Sequence, residues 1–430
     1  MMRLMRNVSM LAAALALAAL FSCSASVAAP AGALVASKES GWPQWRGPRR
    51  DGVSDEKGLL QAWPEGGPKL LWAVGDLGRG WSSPILHEGT LYITGDVGED
   101  CVVFAMDLDG KPRWRAKNGA AWKASYPGAR ACCLYDDGRL YHSNAHGRVA
   151  CLDPKTGAEV WAVETLKVFE GEEITWGLAE CLLADGPRLI VSPGGKKAMM
   201  AALDKKTGAT VWASDPIPGD KAGYASPILF EWGGRRMLAS VSSRHAYGVD
   251  ADTGKLLWTY FRKTRYEVIA ATPLYHDGGV FITVPDGEGG VLLRLRAEGQ
   301  GVGVEPAWTT PLDNCDGGAV LVDGVIYSSG YMTVKWWAGV EWTTGRSVRE
   351  RRDLGQGSAI WADGRLYVLA ETGAMALLKP AEAGFETAGR FDLVTGKRDA
   401  WAHPVVLDGR MYLRYHEKLW CYDVRQATPR

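Results

Sequence analysis

Asp204-Lys205-Lys206-Thr207-Gly208-Ala209-Thr210-Val211-Trp212 is one of three complete copies of a phrase, Asp-x-x-Thr-Gly-x-x-x-Trp. The other two run from Asp153 to Trp161 and from Asp250 to Trp258. Each copy follows an apolar run (Val149 to Leu152, Ala201 to Leu203, Tyr247 to Val249) and leads into a second run ending on the tryptophan, so it reads as a turn between two strands. The aspartate suits a turn cap, and the glycine supplies a position with φ > 0. Trp114, Trp161, Trp212, Trp258 and Trp308 stand 47, 51, 46 and 50 residues apart, a spacing expected of propeller blades.

A second marker keeps the same period. Short apolar runs joined by a glycine turn recur at Gly89, Asp137-Gly138, Gly186, Gly233-Gly234, Gly278, Gly324, Gly364 and Asp408-Gly409. Such turns between β-rich runs are hairpin signals, and eight of them predict an all-β fold, an eight-bladed propeller of four-stranded antiparallel blades. The last repeat, from His403 to Asp423, supplies only three strands. The segment Lys69-Leu70-Leu71-Trp72-Ala73 carries a tryptophan in the position of Trp114 and is expected to complete that blade and close the ring. Tryptophan (19 residues) and glycine (53) are abundant, as large rings at blade interfaces and many tight turns require. Blade packing is the expected role of Trp72, Trp114, Trp161, Trp212, Trp258 and Trp308.

Residues 1–28 read as an export signal: Arg3 and Arg6 precede the apolar stretch Leu11 to Phe21, and Ser26-Val27-Ala28 offers a cleavage point. Leu20-Phe21-Ser22-Cys23 supports a competing reading in which Cys23 is lipidated, the one route to a membrane. Residues 29–41 then form a linker, 42–423 the propeller and 424–430 a C-terminal tail. The chain carries 49 basic and 49 acidic residues, and without Arg3 and Arg6 it stays near neutral, which argues against a nucleic-acid partner. Export to the periplasm or the outer membrane, and a monomeric state, are expected. Beyond Cys23 there are seven cysteines, Cys101, Cys132, Cys133, Cys151, Cys181, Cys315 and Cys421; the odd number leaves at least one free thiol unless the protein pairs with another chain, and no Cys-x-x-Cys pair suggests zinc. His142 and His146 flank a hairpin turn and are not expected to ligate metal. The run Arg349 to Arg352 replaces a tryptophan strand and reads as a solvated outer strand, or secondarily as a surface for an acidic partner.

Residues 42–423 resemble the pyrroloquinoline-quinone (PQQ) type β-propeller family, on the repeated Thr-Gly-x-x-x-Trp phrase, the entry phrase Trp42-Pro43-Gln44-Trp45-Arg46-Gly47-Pro48 and the exit phrase Trp401-Ala402-His403-Pro404 through Cys421-Tyr422-Asp423. The resemblance implies an eight-bladed propeller but not one activity, because the family includes quinoprotein dehydrogenases, a lipoprotein of the outer-membrane β-barrel assembly machinery and exported members with no assigned reaction. In the dehydrogenases adjacent cysteines form a ring-like disulfide beside PQQ. Here Cys132-Cys133 are adjacent, though placed closer to the following hairpin than in those enzymes. PQQ and calcium are thus possible cofactors, with Glu180, Asp313, Asn314 and Asp316 as candidate oxygen ligands; solvated rim acids and turn caps are the plainer reading of the four.

A ligand site in such a ring is expected where the innermost strands begin. By repeat position the candidates there are Trp81, Arg130, Cys132, Cys133, Trp176, Glu180, Tyr224, Gln356, Trp401 and His403, alongside Ser83, Ser226, Thr272 and Ser358. Trp176 or Trp401 could stack on a flat ligand while Arg130 holds a carboxylate. The expected function is a non-catalytic binding or assembly module of the bacterial cell envelope, with envelope proteins or a small flat ligand at the channel mouth. The alternative is a PQQ- and calcium-dependent dehydrogenase of a small alcohol or sugar.

Overall fold

The computed structural model describes residues 41–426 apart from Asp316; the expected signal, Cys23 and nearly all of the linker lie outside the described residues. Eight antiparallel sheets follow one another as blades of a propeller. The innermost strands of blades 1 to 8 are Ile85–His87, Leu134–Asp136, Leu183–Asp185, Ile228–Trp232, Leu274–His276, Val320–Val322, Gly357–Ala362 and Val405–Leu407. Each is followed outward by its own hairpin partner and a third strand. In blades 1 to 7 the next segment in sequence is the fourth strand; in blade 8 the fourth is Lys69–Val74, antiparallel to Lys418–Asp423.

The glycine turns adopt the predicted handedness. Asp137 and Gly138 both have positive φ (48° and 70°), as do the pairs at 88–89, 233–234, 277–278, 323–324, 363–364 and 408–409. Two successive left-handed residues make the tight hairpin that matches strand twist. In the repeated phrase, Asp153 Oδ1 accepts from the Lys155 and Thr156 amides (both 2.9 Å) and the Thr156 hydroxyl (3.1 Å), and that hydroxyl accepts from the Ala158 amide at 3.2 Å. Asp204 with Thr207, and Asp250 with Thr253, repeat the pattern.

The glycine of the phrase also serves the neighbouring blade. A Cβ on Gly157 would lie 2.5 Å from the Trp114 indole, one on Gly208 2.8 Å from Trp161, one on Gly254 2.6 Å from Trp212 and one on Gly345 2.5 Å from Trp308. Each of these four indoles therefore lies flat on the bare glycine of the next blade. Several indoles also donate across that interface, Trp114 to Pro154 O (3.0 Å), Trp161 to Lys205 O (3.0 Å) and Trp308 to Trp342 O (2.9 Å). A register shift just before the tryptophan position recurs in every blade, for example between Cys151 and Leu152 and between Gly248 and Val249. Such bulges twist a strand locally.

Two blades lack the tryptophan, and the structure replaces it differently in each. Arg349 takes the place in blade 6 and donates its Nε to Ala381 O of blade 7 at 2.7 Å. The expectation of a merely solvated arginine strand therefore needs correction: Arg349 bridges blades, whereas Arg352 is exposed and lies over Trp336 with its guanidinium 4.1 Å from the ring centroid. In blade 7 the place belongs to Gly389, against which Trp63 from the N-terminal region packs, its amide donating to Ala388 O at 2.8 Å.

The entry phrase crosses the middle of the ring. Gly41–Trp42 pairs with Leu86–His87 of blade 1, and Pro43 O accepts from the Tyr135 amide of blade 2 at 2.8 Å. Arg50 donates to Leu182 O (2.8 Å) and Cys181 O (2.9 Å) at blade 3, and Arg46 donates to Ala319 O at blade 6. Val53–Ser54 pairs in parallel with Trp361–Ala362 of blade 7, and the Ser54 hydroxyl donates to Val406 O of blade 8 at 3.1 Å. One short segment thus satisfies backbone groups on six blades and plugs the channel. At the other end Val424 is fully buried, with its amide on Gly409 O at 2.9 Å.

Candidate ligand site at the channel mouth

The predicted mouth residues fall on two levels. The deeper level is a girdle of hydrogen bonds running from blade to blade. His403 N donates to Ser83 Oγ (2.8 Å), Cys132 N to Cys181 Sγ (3.2 Å), Cys181 N to Ser226 Oγ (2.9 Å) and Ser226 N to Thr272 Oγ1 (3.4 Å). Ser358 Oγ donates to Ala402 O at 3.0 Å. These residues are buried, and repeat position brought them together because every blade needs the same contact with its neighbour. Just within the girdle the plug sets Trp45 against His403, ring centroids 5.3 Å apart.

Above the girdle the structure gathers an aromatic and cationic surface. The Arg130 guanidinium lies 5.2 Å from the Trp81 ring centroid and 5.5 Å from that of Trp122. Trp81 lies 5.2 Å from Trp401, and Tyr126 caps Trp401 at 5.3 Å. Burial lowers the Arg130 pKa to about 10, opposed by Asp96 and Tyr224, so the side chain is a cation at neutral pH with its charge spread over indole faces. Its two terminal nitrogens donate to Gly128 O and, at 2.6 Å, to Tyr126 O. The Trp81 indole N–H has no partner among the described residues. A second group pairs Trp176 with Tyr224, centroids 5.9 Å apart, the Trp176 amide donating to the tyrosine hydroxyl at 3.3 Å. Gln356 donates to Glu371 farther round the rim.

Tyr126 was missed by the repeat argument. It sits in the irregular connection between blades 1 and 2, is half-exposed and has φ 54°; Tyr126-Pro127-Gly128 signals a turn in the sequence but nothing about its reach to Trp401. The plug was also missed as a structural part, and with it a cleft of about 520 Å³ on the opposite, hairpin face, walled by Gln44, Arg49, Asp136, Asp185, Arg236 and His276.

The described calcium candidates have partners within the protein. Asp313 is fully buried, and its two oxygens accept from five backbone amides, those of Gly287, Tyr331, Met332, Thr333 and Val334, at 2.9–3.3 Å. Asn314 Nδ2 donates to Ser329 O at 3.0 Å. Glu180 belongs to blade 3, where it accepts from the Ser192 amide (2.8 Å) and hydroxyl (2.6 Å). Burial pushes its pKa up to about 7, against those hydrogen bonds and the charge of Arg50. Asp316 lies outside the described residues. Among the described residues no three of His, Cys, Asp and Glu converge as a metal site, and the carboxylates of Glu180 and Asp313 are engaged by the hydrogen bonds just given. Cys132 and Cys133 are separate buried thiols, and Cys132 is directed to Cys181.

Fold and mouth together define a repeat propeller with a plugged channel and an aromatic rim. The family model described as "Outer membrane protein assembly factor BamB" (PQQ_2) matches residues 99–338, more than half of the chain, and the chain belongs to this family. It is 31% identical over 127 residues to the outer membrane protein assembly factor BamB of Nitrosomonas eutropha, covering 30% of this chain and 27% of that protein. It is 27% identical over 169 residues to the quinohemoprotein alcohol dehydrogenase ADH-IIG of Pseudomonas putida, covering 34% and 22%. The chain thus spans about a quarter of the length of these curated relatives. The crystal structure of BamB from Moraxella catarrhalis superposes with a TM-score of 0.58 at 15% identity, covering 84% of this chain and 99% of that one, a likeness of fold.

Proposed function

We propose that this protein is an exported propeller of the bacterial cell envelope that acts as a binding or assembly module through its channel mouth. The observation that carries the reading is chemical. Glu180 and Asp313, two of the acids offered for a quinone–calcium centre, already accept hydrogen bonds from within the protein, whereas Arg130, Trp401 and Tyr126, packed around the buried Trp81, form a partly exposed cation–aromatic surface over a closed floor. Such a surface suits a flat or aromatic group bearing negative charge, presented by an envelope protein or a small ligand. The relatives named as assembly factors agree with this reading, and those named as alcohol dehydrogenases keep the oxidoreductase alternative in view.

The deciding experiment titrates the mature protein with PQQ, with and without calcium, following tryptophan quenching and then dye reduction in the presence of alcohols. Expected are no calcium-dependent saturation and no turnover. Saturation with turnover overturns the proposal. In parallel, Arg130→Ala and Trp176→Ala should weaken capture of an envelope partner at least tenfold, and unchanged capture by both would remove the mouth from consideration.

A further inference from the structure

We propose that Cys132 and Cys181 form a redox pair that closes to a disulfide, joining blade 2 to blade 3 in the channel wall. The two residues hold the same place in adjacent blades of the girdle, where Ser83, Ser226 and Thr272 supply hydroxyls. The Cys132 amide reaches Cys181 Sγ at 3.2 Å, and the two side chains hydrogen-bond each other. Arg50 of the plug grips the same point through Cys181 O. Burial raises both thiols, but at Cys181 the hydrogen bonds from Cys132, the charge of Arg50 and the Ser226 hydroxyl outweigh it and bring the thiol below its ordinary value, while Cys132 stays well above. One sulfur is thus prepared as the nucleophile and its neighbour retains the proton.

The chemistry balances with a disulfide oxidant such as oxidised glutathione. Cys181 thiolate attacks one sulfur of the oxidant and expels a thiolate, leaving a mixed disulfide. Cys132 then loses its proton and attacks Cys181 Sγ, expelling the second thiolate. Two protein thiols become one disulfide, and the oxidant gains two electrons as two reduced thiols. Export would supply oxidising conditions, but the chemistry of the pair is tested in vitro, independently of the proposed function.

The wild-type mature protein is brought to equilibrium in glutathione buffers of graded oxidation, by refolding as well as from the folded state. It is then quenched, blocked with N-ethylmaleimide and digested with trypsin without reduction. Expected is a peptide joining Ala131–Arg139 to Val168–Arg188, growing with oxidation, retained in Cys133→Ser and lost in Cys181→Ser. Maleimide on both Cys132 and Cys181 at every potential overturns the proposal. So does a bond within Ala131–Arg139, or a link that Cys133→Ser abolishes.

Discussion

Gly157→Ala separates the two tasks of the repeated glycine. The backbone there has φ +74°, and an added Cβ would stand 2.5 Å from Trp114 Cε3 and 2.9 Å from Cδ2. Holding an L-residue in the left-handed region costs about 1–2 kcal/mol. Displacing a packed indole costs about 1–3 kcal/mol more, so the substitution should destabilise by about 2–5 kcal/mol in total. In a Trp114→Ala background only the backbone part remains, and the double variant should be more stable than the sum of the singles by about 1–3 kcal/mol. Urea melts followed by far-ultraviolet circular dichroism measure this without relying on tryptophan emission. Gly138→Ala is the control: φ is +70° but no atom lies within 4 Å of the new Cβ, so its cost should be the same in both backgrounds. Additivity of Gly157→Ala with Trp114→Ala within about 0.5 kcal/mol would refute the claim that this glycine is a seat for the neighbouring blade's indole.

Arg50→Met keeps volume but removes the donors to Cys181 O and Leu182 O; two buried carbonyls left unpaired should cost about 2–6 kcal/mol, read as faster hydrogen exchange at residues 43–54 ahead of the blades. Glu180 has a folded pKa of about 7 against 4.5 for the free group, so the fold binds the extra proton and its contribution falls by about 3 kcal/mol as pH rises from 4.5 to 7. His142, buried and lowered from 6.5 to about 4, runs the other way: the unfolded chain binds the extra proton, so stability is lost by about 3 kcal/mol as pH falls from 6.5 to 4. The two slopes oppose each other, so Glu180→Gln should uncover a rise in stability from pH 4.5 to 6.5 and abolish the decline to pH 7; pH-dependent urea midpoints unchanged from wild type would refute the assignment.

The repeats were legible because their determinants are local. An Asp-Gly pair carries its own φ preference, and an Asp-x-x-Thr-Gly turn satisfies its own amides, so reading either requires no knowledge of neighbours. The breaks in the pattern were legible only as breaks. Arg349 was visible as a missing tryptophan, but its Nε bond to Ala381 O depends on how blade 7 sits. Trp63 falls outside every repeat and fills the place over Gly389 through a contact spanning more than three hundred residues. The entry phrase was recognisable as a phrase, yet its role as plug is spread over carbonyls and amides of six blades, which carry no signature in side-chain identity.

The same distinction explains the fate of the site candidates. A residue in phase with the repeat meets the same neighbour in every blade, and a closed ring puts that position to use in joining blades. Cys132 and His403 were chosen by phase and lie in the girdle. A binding site in such a ring must break the rotational equivalence, because a ligand has to meet different chemistry from different sides. The groups that do so are carried by connections of unequal length and conformation: Tyr126 with positive φ between blades 1 and 2, Arg130 held by Gly128 O and Tyr126 O, Trp176 beyond the four-residue helix Thr165–Val168, and the plug itself. On the proposed reading, recognition is carried by these unequal connections, and exchanging the connection around Tyr126 and Arg130 between family members should transfer it while leaving the girdle and the blades intact.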